Sequence, residues 1–316
     1  MKKKSVILFG SSYMGEEYLK VLNSFGCDVK VIGRDSDKAA CLANKYSCSG
    51  LGGGASALEG VDRSTVDLAI ISSSIDSLKD LTVACINKGI KNILIEKPGA
   101  LNINELKEIK KYVSPEINVG IAYNRRFYNS VRQLKAQINK DGGSLGCFFD
   151  FTDREKDVLE NPKSKEVIKR WGFGNASHVI DTAFYLAGKP VEITCLRDGS
   201  WPIHPSGTAF SGCGRTDKCL FSYFATWAGG GRWDVEISTK EGRYKLSPLE
   251  ELQFCKKNQF AWEKIRLQDD DDTRFKPGVY KMVKAVLFEG DFSALPTIDD
   301  QIEFCAVIDR IFGYEN

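Results

Sequence analysis

The stretch SVILFGSSYMGEEYL, residues 5–19, decides the fold. A run of aliphatic residues leads directly into Gly10, and Gly15 opens a helical pattern five positions later. These glycines fill the first and third places of the dinucleotide-binding pattern G-x-G-x-x-G, with Ser12 in the second. We therefore predict a strand, a tight turn and a helix whose N-terminus binds a pyrophosphate, with an ordinary strand-to-helix turn as the alternative. The residues predicted to contact the cofactor here are Gly10, Ser11, Ser12, Tyr13, Met14 and Gly15.

Short aliphatic runs alternate with helical patterns from this stretch to about residue 122. The further runs lie at 28–32, 67–71, 91–95 and 117–122. Apolar runs of this length, separated by periodic segments of about ten to fifteen residues, are typical of βαβ units on a parallel sheet. Residues 1–122 are therefore predicted to form a doubly wound α/β domain of the Rossmann type.

After residue 125 the pattern changes. Residues 145–153, 191–199, 219–230 and 232–247 alternate polar residues with aromatic and β-branched ones, between glycine-rich turns. Such alternation predicts a mostly antiparallel sheet. Residues 123–316 are therefore predicted to form a second, α+β domain with an open sheet. Its helices are predicted at 127–138, 176–188 and 299–313.

Composition excludes several classes of protein. The chain of 316 residues is 42% apolar and has a formal net charge of +2, too small to predict nucleic-acid binding. No apolar run approaches the ~18–20 residues of a membrane helix, and the N-terminal lysines precede too few apolar residues for a signal peptide. A cytoplasmic protein is predicted. The ten cysteines are scattered without a C-x-x-C pair, which favours reduced thiols over disulfides or a metal site.

The residues after the second predicted strand bear on the choice of cofactor. Gly33 leaves room there, and Arg34 can form charge-assisted bonds to a 2′-phosphate. Asp35 could instead turn inward and hold the hydroxyls of an unphosphorylated ribose. NADP is therefore favoured over NAD, and a solvated loop position for Arg34 remains the alternative.

The stretch ILIEKPG, residues 93–99, ends another predicted strand with an acid and a base. The carboxyl ends of strands in an open α/β sheet point into the ligand crevice, so Glu96 and Lys97 are predicted to reach the cofactor. Pro98 fixes the path by which the chain leaves the strand. A surface ion pair between Glu96 and Lys97 is the competing interpretation.

Three motifs together resemble the Gfo/Idh/MocA family of nicotinamide-dependent oxidoreductases: EKP at 96–98, NRRF at 124–127 and NASHVID at 175–181. The resemblance covers nearly the whole chain. It implies a Rossmann domain followed by a larger domain whose open sheet commonly joins subunits, hence a homodimer or homotetramer through the C-terminal sheet.

The resemblance also implies roles for individual residues. Lys97 would donate to the reacting oxygen of the substrate and stabilise negative charge as hydride moves. The run Ser72-Ser73-Ser74 falls where the family contacts the ribose and pyrophosphate of the cofactor, although these serines could simply cap the next helix.

The NASHVID motif departs from the family pattern. Members typically carry an aspartate three or four residues before the catalytic histidine, where this sequence has Asn175 and Gly174. His178 matches the histidine. An amide cannot accept a proton at neutral pH, so base work would fall to His178 or Lys97. The catalytic positions implied are thus Lys97, His178 and Asn175, and an Asn175→Asp variant is expected to preserve or raise turnover.

Residues around these motifs are predicted to line the crevice, with Asn124 beside the cofactor. Trp171 precedes the helix of His178, where an aromatic surface with a few polar groups would suit a sugar ring. Trp171 could equally be a core residue, and His204 is expected to be structural. The predicted substrate contacts are Lys97, Tyr123, Arg125, Trp171 and His178.

We therefore expect an oxidoreductase that moves hydride between NADP or NAD and a hydroxyl or carbonyl of a sugar-like substrate. The N-x-S-H variant resembles family members of surface-glycan and sialic-acid-type pathways, which suggests a nucleotide-linked or acidic amino sugar. Two alternatives stay open. One is a cofactor-binding regulator or scaffold that has kept the fold and lost the chemistry, and the other is a glycosidase that uses bound NAD for a transient oxidation.

Overall fold

The first sheet of the protein is parallel throughout. The computed structural model describes residues 3–160, 164–268 and 270–314. The strands of this sheet are β1 Ser5–Phe9, β2 Asp28–Ile32, β3 Ser49–Leu51, β4 Leu68–Ile71, β5 Asn92–Glu96 and β6 Asn118–Ala122. Their order is β3-β2-β1-β4-β5-β6, so the chain changes direction across the sheet between β1 and β4. The predicted doubly wound sheet is confirmed, and the short edge strand β3 was not predicted because Ser49-Gly50-Leu51 contains no apolar run.

The described residues contain eleven α-helices. Their bounds are α1 Tyr13–Ser24, α2 Ser36–Lys45, α3 Leu78–Asn87, α4 Ile103–Lys110, α5 Asn129–Lys140, α6 Glu155–Leu159, α7 Lys165–Lys169, α8 Ser177–Ala187, α9 Asp270–Arg274, α10 Val279–Lys284 and α11 Ile298–Phe312. Turns of π-helix lie at Gly172–Ala176 and Ala285–Glu289. None of the described helices is long and apolar enough to cross a membrane.

The second sheet is mixed and mostly antiparallel, as predicted. Its strands are β7 Gly146–Asp150, β8 Pro190–Asp198, β9 Ala209–Thr216, β10 Leu220–Thr226, β11 Asp234–Ser238, β12 Gly242–Leu246, β13 Leu252–Lys256 and β14 Glu263–Ile265. The order is β14-β13-β12-β11-β7-β10-β9-β8, with β7 and β10 parallel. Along β10, Phe221 and Tyr223 are buried while Leu220 and Phe224 are exposed. One face of the sheet therefore packs on the core and the other is open.

The protein divides into two compact units. The first comprises Met1–Asn124 and Asp271–Glu303, and the second comprises Arg125–Asp270 and Phe304–Asn316. The predicted domains, 1–122 and 123–316, divide the chain once, whereas residues 271–303 cluster with the first unit in the structure. The physical reason is aromatic packing: the Phe25 ring lies 4.7 Å from that of Tyr280 and 5.0 Å from that of Phe288, centroid to centroid. Local periodicity predicts a helix but not the core on which the helix packs.

Candidate active site

The predicted cofactor residues come together at one edge of the parallel sheet. In the register of the sheet, Phe9 lies beside Ile32 and Ile71, and Ile71 lies beside Ile95. The strands β1, β2, β4 and β5 therefore end at the same level. The residues that follow these positions are Gly10, Gly33, Ser72 and Glu96. The loops thus share the carboxyl edge of the sheet, where open α/β sheets bind ligands.

The turn between β1 and α1 requires two glycines and not three. Gly10 has a φ of +108°, and a Cβ atom there would lie 2.5 Å from the carbonyl oxygen of Ser72. A Cβ atom on Gly15 would lie 2.1 Å from the carbonyl oxygen of Gly10. Ser12, in contrast, has a φ of −94°, which any L-residue adopts. The serine in the middle place is therefore compatible with the turn.

Polar groups at the start of α1 are available to a ligand. Ser12 occupies the N-cap position, but its exposed side chain makes no capping hydrogen bond. The first N–H groups of a helix lack partners within the helix, and the positive end of the helix dipole attracts anions. Tyr13 is 65% exposed, and Lys276 Nζ lies 5.1 Å from the centroid of its ring. Ser11 and Met14 are half-buried in the same loop.

The residues after β2 divide their roles. Gly33 is buried and Arg34 is exposed, with no ion-pair or hydrogen-bond partner for the Arg34 guanidinium among the described residues. The Asp35 carboxylate caps α2 by accepting from the backbone N–H groups of Asp37 and Lys38 at 2.9 and 3.1 Å. A cap of this kind is worth about 1 kcal/mol to a helix. Asp35 therefore has a structural role, and Arg34 remains open to a ligand.

The three serines after β4 are not equivalent. Ser72 is 3% exposed, and its Oγ donates to the carbonyl oxygen of Phe9 at 2.8 Å. Its hydroxyl hydrogen therefore joins β4 to β1, and the contact of Ser72 with the cofactor stays a prediction. Ser73 Oγ accepts from Ser77 Oγ at 2.9 Å, and Ser74 is exposed. Ser73 and Ser74 remain candidates for the cofactor contact.

The EKP turn follows directly from β5. Tyr18, on α1, donates its hydroxyl hydrogen to Glu96 Oε1 at 2.7 Å. Burial raises the pKa of the Glu96 carboxyl. Gly99 N donates to the carbonyl oxygen of Glu96 at 3.0 Å and closes the turn around the half-buried Lys97. Glu96 is thus held inside the first unit, and Lys97 is carried by a hydrogen-bonded turn at the sheet edge.

Sequence reasoning did not identify Gln301, which supports this turn. Gln301 is fully buried on α11, and its Nε2 donates to the carbonyl oxygen of Pro98 at 3.0 Å and to the hydroxyl of Tyr123 at 3.1 Å. The only signal in the sequence is a polar residue on the apolar face of a predicted helix. That pattern is too common to assign a partner.

Two residues predicted to line the crevice are core residues. Tyr123 is fully buried, and its hydroxyl accepts from Gln301. Asn124 is 4% exposed, and its Nδ2 donates to the carbonyl oxygen of Pro277 at 2.9 Å. These hydrogen bonds stabilise the first unit, and the contacts of Tyr123 with the substrate and of Asn124 with the cofactor stay predictions.

In the second unit, a buried carboxylate binds two of the predicted site residues, Trp171 and Asn175. Asp153, which was not predicted, lies just beyond β7 and is 7% exposed. It accepts from Trp171 Nε1 at 2.7 Å, from Trp233 Nε1 at 3.0 Å and from Asn175 Nδ2 at 3.1 Å to each oxygen. Burial raises the pKa of the Asp153 carboxyl. Trp171 is thus buried, which agrees with the alternative that it is a core residue. Its indole nitrogen, however, donates a hydrogen bond to the Asp153 carboxyl group.

Two further predicted residues contact the ring of Trp233. The guanidinium carbon of Arg125 lies 4.9 Å from the ring centroid. The ring of His178, on α8, lies 6.2 Å away, centroid to centroid. A cation–π contact is worth about 0.5–2 kcal/mol and leaves the charge of the guanidinium unneutralised. Trp233, which sequence reasoning overlooked, therefore contacts both the arginine of NRRF and the histidine of NASHVID.

The second arginine of NRRF anchors the helix that carries His178. Arg126 forms a bidentate ion pair with Asp181, with Nε 2.9 Å from Oδ2 and Nη2 2.6 Å from Oδ1. Its guanidinium also lies 4.7 Å from the ring centroid of Tyr185. Burial raises the pKa of Asp181, and the charge of Arg126 opposes that rise. The two motifs are therefore joined by a buried pair that fixes α8.

His204 has a structural environment, as expected. Its Nδ1 donates to the carbonyl oxygen of Gly207 at 2.7 Å, so its Nε2 accepts from the hydroxyl of Tyr314 at 2.8 Å. The same hydroxyl oxygen accepts from Gly172 N at 2.8 Å. Burial lowers the pKa of His204, which keeps the ring neutral. Within the described residues, no group of three or more His, Cys, Asp or Glu side chains is placed to hold a metal ion.

One protein-family model matches the N-terminal part of the chain. Residues 4–119 match the model of the GFO_IDH_MocA family, described as an oxidoreductase family with an NAD-binding Rossmann fold. The matched segment includes all six strands of the parallel sheet except the last three residues of β6. No curated protein matches the sequence as a relative.

Solved structures of similar fold cover nearly the whole chain. One is UDP-N-acetylglucosamine 3-dehydrogenase from Acidithiobacillus ferrooxidans, with a TM-score of 0.77 and 12% identity over 99% of this chain and 98% of that one. Another is an NAD-binding oxidoreductase from Klebsiella pneumoniae, with a TM-score of 0.81 and 16% identity over 98% and 96%. A third is levoglucosan dehydrogenase in complex with NADH and levoglucosan, with a TM-score of 0.78 and 17% identity over 98% and 96%. At these identities the likeness shows a shared fold.

Proposed function

We propose that this protein transfers hydride between NADP(H) and a hydroxyl or carbonyl carbon of a sugar-like substrate. The premise is that residues 4–119 place the chain in the Gfo/Idh/MocA family of NAD-binding oxidoreductases. The observation that carries the proposal is the common carboxyl edge of the parallel sheet. There the glycine turn, Arg34 and Lys97 follow neighbouring strand ends that lie in register.

In this proposal the first unit holds the cofactor. The pyrophosphate binds at the N-terminus of α1, where the two required glycines allow close approach and Ser12 offers a free hydroxyl. Arg34 binds the 2′-phosphate, because Asp35 is occupied as a helix cap. The bound nicotinamide would supply the hydride acceptor or donor. Lys97 hydrogen-bonds the reacting oxygen and stabilises the negative charge that develops on it.

The second unit holds the sugar. The rings of Trp171 and Trp233 provide apolar surface, and Arg125 provides a cation that forms no ion pair with any acid among the described residues. His178 accepts the proton that the hydroxyl loses as its carbon is oxidised and releases that proton to solvent, since Asn175 has no basic group. Two of the similar structures are named as dehydrogenases of sugars or sugar derivatives, which supports this substrate class. The arginine favours a sugar that carries a phosphate or carboxylate.

The choice of cofactor is tested with an Arg34→Ala variant. One charge-assisted contact to a phosphate is worth about 1.5–3 kcal/mol, so the Kd for NADPH should weaken by roughly 10- to 100-fold. The Kd for NADH, which lacks the 2′-phosphate, should stay nearly constant and serves as the internal control. Titration of nicotinamide fluorescence measures both constants. Equal affinities of the wild type for NADPH and NADH would remove Arg34 from this role.

Catalysis is tested by adding a panel of nucleotide sugars and acidic amino sugars one at a time and measuring the nicotinamide absorbance. Oxidation of one of them by the wild type with NADP is the expected result. A regulator or scaffold of the same fold would bind NADPH and oxidise none of the panel. A glycosidase would release a free sugar without net change in nicotinamide absorbance.

A further inference from the structure

The environment of Asp153 is unusual for a buried acid. Among its partners are two indoles and one amide, all of them neutral N–H donors. Burying a charge is costly, and a buried carboxylate ordinarily has a cation beside it. In the described part of the chain, no cation forms an ion pair with Asp153. The cost of holding this charge is therefore met by three side chains that belong to the proposed substrate site.

The carboxylate determines how the amide of Asn175 is turned. A carboxylate only accepts hydrogen bonds, so the side of the amide that faces Asp153 must be the Nδ2 group, 3.1 Å from both oxygens. The carbonyl oxygen Oδ1 then points away from Asp153. No other hydrogen bond engages the Asn175 side chain among the residues that the structure describes. Asn175 thus presents an acceptor, although it cannot act as a base.

Asp153 itself has little capacity left for a substrate. A carboxylate has about four acceptor sites, and each oxygen of Asp153 already receives one indole N–H and one contact from the amide. It is therefore not placed to take a proton from a sugar hydroxyl. Its effect is exerted through the groups that it holds, and one of these, Trp233, carries Arg125 on its ring.

We propose that Asp153 is a positioning residue of the substrate site: it fixes both indole rings and sets Asn175 as a hydrogen-bond acceptor for a hydroxyl of the sugar. This inference rests on the proposed function. It also reverses the expectation for Asn175→Asp, because a second carboxylate would lie about 3 Å from the first, and two carboxylates at that distance do not both ionise. Position 175 must be neutral because position 153 is charged.

The first experiment needs neither cofactor nor substrate. The five indole N–H signals are recorded in a ¹H–¹⁵N spectrum and assigned with Trp→Phe variants. Asp153→Asn should shift the signals of Trp171 and Trp233 upfield and leave those of Trp201, Trp227 and Trp262 in place. Glu59→Gln, which removes an exposed acid of the first unit, is the control and should shift none of them. Unchanged Trp171 and Trp233 signals in Asp153→Asn would overturn the proposal.

The second experiment exchanges the two groups. Asn175→Asp should lower kcat/KM by about tenfold or more. The double variant Asp153→Asn/Asn175→Asp should recover much of that loss, because it again places one carboxylate in contact with one amide. The Kd for NADPH should be the same in all variants. Because the double variant has a single acid, it should fold even if Asp153→Asn alone does not. Full activity of Asn175→Asp, or no recovery in the double variant, would contradict the inference.

The two experiments separate the failure of this inference from the failure of the proposed function. If the wild type binds no nicotinamide cofactor, the proposed function fails, and the indole spectrum still decides whether Asp153 holds the two rings. If the wild type is active and the exchange shows no recovery, the proposed function stands and the role of Asp153 is wrong.

Discussion

Ser12 is the residue at which stability and cofactor binding can be separated. It caps α1 with its backbone only, and its hydroxyl is free. Ser12→Asp should therefore keep or raise the free energy of unfolding, by up to about 1 kcal/mol, because aspartate is a favoured N-cap that complements the helix dipole. The same carboxylate should weaken NADPH binding about tenfold or more, since it faces the pyrophosphate.

Urea denaturation and fluorescence titration measure the two effects of Ser12→Asp. Ser12→Ala is the control, because it removes the hydroxyl without adding a charge and should cost less affinity. If Ser12→Asp bound NADPH as tightly as the wild type, the pyrophosphate would not lie at the start of α1.

Lys97 is the residue that separates an enzyme from a binding protein. Lys97→Met should lower kcat by roughly 10²–10³ with the cofactor Kd little changed, because the lost hydrogen bond belongs mainly to the transition state. Lys107→Met, at an exposed position of α4, is the control and should retain full activity. Steady-state kinetics with the identified sugar provides the measurement. A kcat unchanged by Lys97→Met would show that Lys97 is not catalytic.

At the scale of elements, the π turn at Gly172–Ala176 determines where Asn175 lies. A Cβ atom on Gly172 would stand 2.4 Å from Phe312 Cε2, so the turn can approach that ring only with glycine. Gly172→Ala should reduce the free energy of unfolding by about 1–3 kcal/mol, as overpacking does. Gly60→Ala, where a Cβ atom would meet nothing within 4 Å, is the control and should stay within about 0.5 kcal/mol.

Urea denaturation compares the two glycine variants with the wild type. The displaced turn should also lower kcat/KM in Gly172→Ala, because Asn175 and the start of α8 move with it. Equal stability of Gly172→Ala and Gly60→Ala would mean that the Phe312 ring moves aside without cost.

The elements of the first unit could be predicted closely from the sequence, because their signals are local. The run SVILF predicts β1 at its observed bounds, and Gly26, just after α1, has a φ of +67°, the left-handed conformation that a glycine favours at the end of a helix. The site of the second unit could be predicted only in part. His178 and Arg125 belong to motifs, whereas Asp153 and Trp233 are joined by one hydrogen bond between residues 80 positions apart. Local periodicity does not predict such a contact.

Burial was the other property that local patterns did not show. Tyr123 and Asn124 follow β6, as a crevice residue would, but one hydrogen bond from Gln301 and one to Pro277 hold them in the core. The partners lie more than 150 positions away along the chain. A strand end therefore predicts the position of a residue at the sheet edge but not whether its side chain faces a ligand.

At the scale of the whole molecule, the second sheet has an open apolar face. Leu196 and Phe224 are 68% and 45% exposed, and both pair in register with Ser211 on β9, so they flank one row of the sheet. Phe148 on β7 and Leu220 on β10 extend the same face, at 38% and 68% exposure. Apolar side chains grouped on one face are typical of a surface that another subunit covers. This arrangement supports the homodimer or homotetramer expected through the C-terminal sheet.

That assembly gives the prediction that belongs to this scale. Leu196→Lys/Phe224→Lys should convert the wild-type oligomer into a monomer of 35.1 kDa. The reason is that burying two ammonium groups without partners would cost more free energy than an interface of about 800 Å² per subunit contributes. Phe260→Lys, at a 98% exposed ring outside the strands, is the control and should keep the wild-type mass. Light scattering after size exclusion measures the masses, and circular dichroism confirms that each variant is folded. A double variant of unchanged mass would place the subunit interface elsewhere. A monomeric wild type would mean that no such interface forms, and the open face of the second sheet would then need another explanation.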